Sequence, residues 1–154
     1  MKRGALFLIL TVVTALTLIA GVTAAPAQSE RILNFKSFIQ VHPDASMTVT
    51  EDITVQAAGQ EIRRGIIRDF PTTYRDRLGN TVTVGFKVEE VLRDGQPEPY
   101  SIESASNGVK IRIGQKEVFL DPGKYTYTIR YRVDRELGFF KDFDELYWNV
   151  TGNG

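Results

Sequence analysis

Apolar and polar residues alternate with a period of two along most of the chain after residue 30. The alternating stretches are Leu33–Val41, Met47–Val55, Val82–Val88, Val109–Ile113 and Tyr125–Val133. Successive side chains of a β-strand point to opposite faces, so this period predicts strands that are buried on one side. No window after the N-terminal segment carries apolar residues at helical spacing over three turns. We therefore expect an all-β fold.

Short turn signals separate these stretches. Asp94-Gly95 and Asn107-Gly108 are typical of tight hairpins, and His42–Ser46 and Asp121–Gly123 also favour turns. Seven or so short strands joined in this way predict an antiparallel β-sandwich of the immunoglobulin-like kind. We expect the Tyr125–Val133 strand at its centre, because its aromatic residues need partners on both sides.

Two regions are less regular. We expect Gln60–Gly79 to be a long loop with a short extended piece at Gly65–Phe70. A last strand is expected at Glu145–Thr151, around Tyr147 and Trp148.

The first 27 residues have the pattern of a secretory signal peptide. Met1-Lys2-Arg3 is a basic start, Gly4–Val22 is uncharged and apolar, and Ala25-Pro26-Ala27 supplies a small-residue cleavage site. An apolar run of this length can also span a bilayer, so an uncleaved anchor helix is the alternative. In both cases residues 28–154, the predicted sandwich domain, are exported to the outer side of the membrane.

Composition excludes several classes of protein. The chain has no cysteine, which excludes disulfides, thiol nucleophiles and thiolate metal sites. His42 is the one histidine, so a zinc site built from several histidines is impossible within one chain. The 19 basic residues balance 19 acidic ones, and a chain without net charge lacks the field that attracts nucleic acid. We expect no cofactor, no metal and no nucleic-acid partner.

Four stretches, taken in order, resemble a known family. They are Phe38–Glu51, Arg64–Pro71, Leu120–Tyr131 and Glu145–Gly152. Together they are similar to the N-terminal domain of the bacterial predicted membrane proteins called domain-of-unknown-function family 2207. One departure is Ala45, where the turn of the family often has glycine.

The resemblance implies a membrane context. Members of the family typically continue through more β-structure into transmembrane helices and often a glycine-rich cytoplasmic tail. It therefore implies that these residues are the front of a longer membrane protein or a truncated gene product, with the sandwich incomplete at its C-terminal end. No catalytic or binding residues are established for the family, so none are transferred to this chain.

One acidic residue lies on the apolar face of a predicted strand. Glu51 lies between Val49 and Ile53 in that alternation, and a buried carboxylate needs a cation or several hydrogen-bond donors. Arg68 is the candidate partner, because its guanidinium matches a carboxylate with two hydrogen bonds. We favour a structural ion pair that pins the Gly65–Phe70 segment onto the sheet. A functional carboxylate and a solvated one at a sheet edge are the alternatives.

Four aromatic residues form a second candidate site: Tyr125, Tyr127, Tyr131 and Trp148. The three tyrosines share one face of a strand, which suits either a sandwich core or a flat surface for stacking sugars. We favour the core.

Two charged clusters remain. Five arginines fall in the irregular segment, namely Arg63, Arg64, Arg68, Arg75 and Arg77. Acidic residues are interleaved among them, which favours a solvated loop over a site for an anionic polymer or a lipid headgroup. The acidic group Asp142, Asp144 and Glu145 lacks a full EF-hand loop, so we interpret it as a solvated turn and not as a calcium site.

The sequence favours a non-catalytic, extracytoplasmic β-sandwich domain of a membrane-associated bacterial protein. The alternative is a secreted module that binds carbohydrate or the cell envelope. A hydrolase is the weakest hypothesis, because the sequence shows no nucleophile elbow, no histidine dyad and no convincing carboxylate pair. The expected partners are the membrane, through C-terminal segments or an uncleaved signal, and a protein or envelope polymer that the sequence does not identify.

Expression in a bacterial host tests the signal peptide. We expect the intact mass of the exported chain to show loss of residues 1–27, because Ala25 and Ala27 fit the small-residue pattern that precedes cleavage. A chain that keeps Met1 and fractionates with membranes would establish the anchor alternative instead.

Overall fold

The computed structural model describes residues 29–75, 79–146 and 148, and these residues form β-strands without any helix. The strands in chain order are β1 (Arg31–Val41), β2 (Met47–Ala57), β3 (Gly65–Pro71), β4 (Thr73–Arg75), β5 (Thr81–Thr83), β6 (Phe86–Arg93), β7 (Gln96–Pro97), β8 (Tyr100–Ala105), β9 (Gly108–Gly114), β10 (Gly123–Val133), β11 (Leu137–Phe139) and β12 (Asp144–Leu146). The expectation of an all-β, antiparallel fold is confirmed. The predicted signal peptide lies outside the described residues, and within them no helix could span a membrane.

The larger sheet has β10 at its centre. Its strands are ordered β1-β2-β10-β6-β7, and every neighbouring pair is antiparallel. β10 pairs with β2 along its whole length, from Gly123 opposite Ala57 to Val133 opposite Met47. The prediction that the Tyr125–Val133 strand is central is confirmed.

The smaller sheet has the order β3-β9-β8, and two short ribbons pair β11 with β12 and β4 with β5. The seven strands of six residues or more divide four to three between the two sheets, as they do in a constant-type immunoglobulin domain. The strand order differs, because β10, the last of the seven, takes the place beside β2 that the fifth strand has in an immunoglobulin domain. The likeness is one of architecture.

The hydrophobic core lies between the two sheets. The larger sheet contributes Met47, Val49, Ile53, Val55, Val88, Val91, Tyr127, Ile129, Tyr131 and Val133, and the smaller contributes Phe70, Ile111 and Ile113. These side chains are at most 9% exposed, and burying each one stabilises the fold by about 1.5–3 kcal/mol. In β2 and β10 the buried positions follow the alternation of the sequence.

The irregular segment is more ordered than its sequence indicates. The extended piece expected at Gly65–Phe70 is β3, but the same segment also contains β4, which was not expected. A three-residue strand is too short to show an alternation. Of the strand expected at Glu145–Thr151, the described residues show β12, which ends at Leu146, and Trp148; the remainder lies outside them.

The turn between β1 and β2 accommodates alanine at a position that favours glycine. Ala45 has a φ of 62°, in the left-handed region where glycine carries no steric penalty. The turn is closed by a hydrogen bond from the His42 N–H to the Ser46 carbonyl oxygen, 2.9 Å long. Asp44 Oδ1 also accepts from the Ser46 N–H at 3.1 Å. These hydrogen bonds stabilise the left-handed conformation of Ala45, which glycine would adopt without a steric penalty.

Replacing Gly65 by alanine should weaken the pairing of β3 with β9. Gly65 has a φ of 140°, and a Cβ there would overlap the carbonyl oxygen of Ile113 on β9. The control is Gly59→Ala, where φ is 76° and the space is open, so that only left-handed strain of about 1–2 kcal/mol applies. Urea unfolding followed by circular dichroism should show a clearly larger loss of stability for Gly65→Ala. Equal losses of stability for the two variants would show that β3 shifts to accommodate the added Cβ without a further loss of free energy.

Candidate functional site

Glu51 is a fully buried acidic residue in the middle of β2. It is 0% exposed and pairs in register with Ser37 on β1 and with Ile129 on β10. The alternation of β2 turns its side chain inward, towards the smaller sheet. Removing a carboxylate from water costs several kcal/mol unless a counter-charge and hydrogen bonds replace the lost hydration.

Arg68 supplies that counter-charge from the opposite sheet. It lies on β3, its Nε donates to Glu51 Oε2 at 2.9 Å, and its Nη2 donates to Glu51 Oε1 at 2.9 Å. The side chain of Arg68 is 12% exposed. Two parallel hydrogen bonds of this kind fix both distance and orientation, so the pair connects the two sheets through the core.

Tyr131 completes the coordination of the carboxylate. Its hydroxyl donates to Glu51 Oε1 at 2.8 Å. Tyr131 is on β10, two positions along the strand from Ile129, the register partner of Glu51. This diagonal position lets a long aromatic side chain reach its neighbour. Burial raises the pKa of the Tyr131 hydroxyl, and the charge of Glu51 raises it further.

An aromatic shell surrounds the ion pair. The Arg68 guanidinium lies 4.6 Å from the ring centroid of Phe70 and 5.6 Å from that of Phe35. The Phe70 ring contacts Tyr131 edge-on at 4.7 Å and Phe86 at 4.7 Å. Cation–π contacts and a low local dielectric both favour the paired, charged state.

Glu51, Arg68 and Tyr131, which we call the clamp, are chemically occupied. Both carboxylate oxygens accept hydrogen bonds, and no part of Glu51 reaches solvent. Burial acts to lower the pKa of Arg68, but the hydrogen bonds and the charge of Glu51 outweigh it, so that the pKa is raised. The arrangement suits the joining of two sheets and leaves no oxygen free for a substrate.

The structure separates the four aromatic candidates. Tyr127 and Tyr131 are 0% exposed in the core, and Tyr125 and Trp148 are half-buried against it. The strand face that the tyrosines share is covered by the smaller sheet, so these residues do not form an exposed aromatic surface. The interpretation of a flat stacking surface is wrong for Tyr127 and Tyr131 on this geometry.

The arginine cluster divides into parts with different environments. Arg68 belongs to the clamp, whereas Arg63 and Arg64 are exposed and stack on Phe119, with guanidinium-to-ring distances of 5.6 Å and 4.2 Å. Arg75 is exposed on β4, and Arg77 lies outside the described residues. The four described arginines are therefore not equivalent, since Arg68 is committed to the core and the other three are exposed.

The remaining sequence candidates have ordinary surroundings. Asp142, Asp144 and Glu145 are exposed at the β11–β12 ribbon, and the described residues contain no group of three acidic or histidine side chains arranged for a metal ion. His42 Nε2 and Thr48 Oγ1 are 2.9 Å apart across the β1–β2 hairpin.

Sequence reasoning missed one unusual carboxylate. Glu30 accepts hydrogen bonds from four backbone N–H groups in the loop after β2, those of Ala58, Gln60, Glu61 and Ile62, at 2.6–3.1 Å. Desolvation opposes the charged form, but these four donors outweigh it and lower the pKa of Glu30 to about 2. Backbone donors have no side-chain pattern, so no signal in the sequence could reveal this contact.

A shallow depression lies on the outer face of the larger sheet. Its volume is about 330 Å³, and it is lined by Phe38, Gln40, Thr48, Thr50, Glu89 and Arg130. Phe38 is 69% exposed, and Arg130 Nε lies 3.3 Å from Glu89 Oε2. An exposed ring beside hydroxyl, amide and charged groups is a surface that can bind a polar ligand.

Comparison with known proteins gives two results. The family described as the N-terminal domain of a predicted membrane protein (DUF2207) matches residues 31–154. The uncharacterized protein YciQ of Escherichia coli strain K12 is 34% identical over 131 residues, which are 85% of this chain and 21% of YciQ. The chain thus spans about a fifth of the length of this relative. The resemblance drawn from the four stretches is confirmed.

Removing either charge of the clamp should be costly. Glu51→Ala or Arg68→Ala leaves the other charge buried without its partner, which costs about 3–5 kcal/mol. The double variant should lose less stability than the sum of the single variants, because no unpaired charge remains. Denaturant unfolding of all four proteins measures this coupling.

The exposed pair Arg112 and Glu103 provides the control. Its side chains are 49% and 47% exposed, so removing either should change stability by less than about 1 kcal/mol. Small, additive effects at Glu51 and Arg68 would contradict a buried pair.

Proposed function

Because the chain belongs to the family of predicted membrane proteins that share the DUF2207 N-terminal domain, we propose that residues 28–154 are a non-catalytic β-sandwich held outside the cytoplasm. In this role the domain presents a rigid surface to partners at the membrane. The main observation in support of this proposal is the clamp. In it the buried Glu51 carboxylate binds Arg68 and so joins the two sheets.

The clamp supports rigidity rather than turnover. A general acid or base must reach the proton that it transfers, within hydrogen-bond distance of a substrate. Glu51 is enclosed by Arg68 and Tyr131 and has no exposed surface. The same contacts tie β2, β3 and β10 together, which suits a domain whose shape is its function.

Location outside the cytoplasm is supported by the N-terminal sequence. A basic start, the apolar run Gly4–Val22 and the small residues before Gln28 direct a chain into the export pathway. The sequence has no cysteine, so a domain in this location takes its stability from packing and not from disulfides. The description of the family as a predicted membrane protein supports membrane association.

A secreted module that binds carbohydrate or envelope polymer is the second candidate. The depression around Phe38 favours it, because an exposed ring can stack on a sugar while Gln40 and Thr50 hydrogen-bond its hydroxyls. Sedimentation with purified peptidoglycan, lost in Phe38→Ser, would favour this candidate over the first.

A reporter fusion tests the location. Alkaline phosphatase, which is active only after export, is fused after Gly154, and the matched control lacks residues 1–27. We expect an active fusion and an inactive control. An inactive full-length fusion would overturn the proposal.

A further inference from the structure

We propose that one end of the sandwich, formed by Val118, Phe119, Arg63 and Arg64, contacts the surface of an anionic lipid bilayer. We call this the Phe119 end. The inference rests on the proposed function, because it names the surface by which an extracytoplasmic domain meets its own membrane.

The loop between β9 and β10 holds two apolar side chains in solvent. Phe119 is 58% exposed and Val118 is 42% exposed, whereas the next residue, Leu120, is 9% exposed. The Leu120 N–H donates to the Arg63 carbonyl oxygen at 2.8 Å. Leu120 thus anchors the loop on the β2–β3 connection, and this anchoring holds Phe119 and Val118 outward.

Two cations lie against the exposed ring. The guanidinium of Arg64 is 4.2 Å from the Phe119 centroid, and that of Arg63 is 5.6 Å away. Exposed apolar side chains such as phenylalanine enter the boundary between headgroups and acyl chains, and arginine forks bind phosphate with two hydrogen bonds. An exposed ring with two arginines therefore matches the chemistry of an anionic membrane surface.

The net charge of this end is small. Lys116 and Lys124 are exposed nearby in sequence, and so are Glu61, Glu117 and Asp121. The attraction must therefore come from the local pairing of Arg63 and Arg64 with Phe119. Such a contact is weak and sensitive to salt.

The N-terminus leads to the same end. Four backbone N–H groups within residues 58–62, the segment that immediately precedes Arg63 in the sequence, donate hydrogen bonds to the Glu30 carboxylate. In the precursor, seven residues separate Glu30 from Val22, where the apolar run ends. The extended chain from Val22 to Glu30 spans at most about 29 Å, so an apolar run retained as an anchor keeps the Phe119 end close to the bilayer.

Two other surfaces fit a membrane less well. The depression on one side of the loop is lined by Val118 and Phe119 together with polar groups that bond one another. These groups pair Arg93 Nε with Glu98 at 3.1 Å, and the Tyr125 hydroxyl with the Asp121 carbonyl oxygen at 2.9 Å, so the polar side of the depression fits a membrane less well than the exposed ring does. The β11–β12 ribbon exposes a larger apolar surface, since Phe139, Phe140, Phe143 and Leu146 are 41–66% exposed. Residues 141–145, however, carry three carboxylates against one lysine, and anionic headgroups repel that net negative charge. The ribbon also follows β10 at the far end of the sandwich, roughly 33 Å along that strand.

The cysteine-free sequence allows a clean test. A single cysteine is introduced as Val118→Cys and labelled with the environment-sensitive dye NBD. The protein that is labelled is the exported chain, in the form that the bacterial host produces after any cleavage of the signal. With phosphatidylglycerol vesicles we expect a blue shift and a several-fold rise in NBD emission. With phosphatidylcholine vesicles, or after Arg63→Gln and Arg64→Gln, the rise should be several-fold smaller, and added salt should reduce it.

Phe143→Cys, labelled in the same way, is the control at the opposite end and should show little change. An equal rise at both positions would indicate non-specific adsorption and overturn the proposal. Absence of a rise at position 118 would overturn the proposal as well. This holds also if the chain binds a soluble anionic polymer instead of the vesicles. An active phosphatase fusion with no NBD response would mean that the contact is wrong and the proposed function stands. An inactive fusion would mean that the proposed function is wrong.

Discussion

The ion pair between Glu51 and Arg68 is the constraint on which the sandwich depends. Its partners come from different sheets, β2 and β3, and it lies in the core with the carboxylate fully excluded from water. A buried pair of this kind rarely adds net stability over apolar residues of similar volume, because desolvation consumes most of the Coulomb energy. Its consequence is geometric, since two charge-assisted hydrogen bonds leave the sheets little freedom to slide.

The clamp also explains the arrangement of the aromatic residues around it. Tyr131 must direct its hydroxyl at the carboxylate, and Phe70 must lie flat enough to contact Arg68. The rings of Phe70, Phe86 and Tyr131 then pack on one another with centroids 4.7–5.1 Å apart. The row of tyrosines that resembles a binding surface in the sequence is therefore the wall of a polar site inside the core.

Sequence reasoning succeeds here where local pattern and physical necessity coincide. The alternation around Glu51 shows an acidic residue on a buried face, and burial of a charge demands a partner, which makes Arg68 a reasoned candidate from the sequence alone. The order of strands carries no such signal, because the position of β10 beside β2 is a matter of long-range pairing. Short strands such as β4 and contacts to backbone donors, such as those of Glu30, are equally silent in the sequence. The exposure of Phe119 depends on where Leu120 is anchored, which alternation does not determine.

The clamp gives the fold specificity that its sequence pattern alone would not. Shifting a strand by one residue moves every side chain to the opposite face, and in β2 that shift would expose Val49 and Ile53 while it buried Thr50 and Asp52. The five apolar side chains that β2 buries oppose this slip. Glu51 opposes it further, because the slip would bring Asp52 into the core in its place, and a side chain one carbon shorter would not keep both hydrogen bonds to Arg68. In a chain without cysteine, where no disulfide can join the sheets, a buried ion pair performs the task of selecting one register from several. A β-domain gains from this selection, since each mispaired strand edge is a site for aggregation.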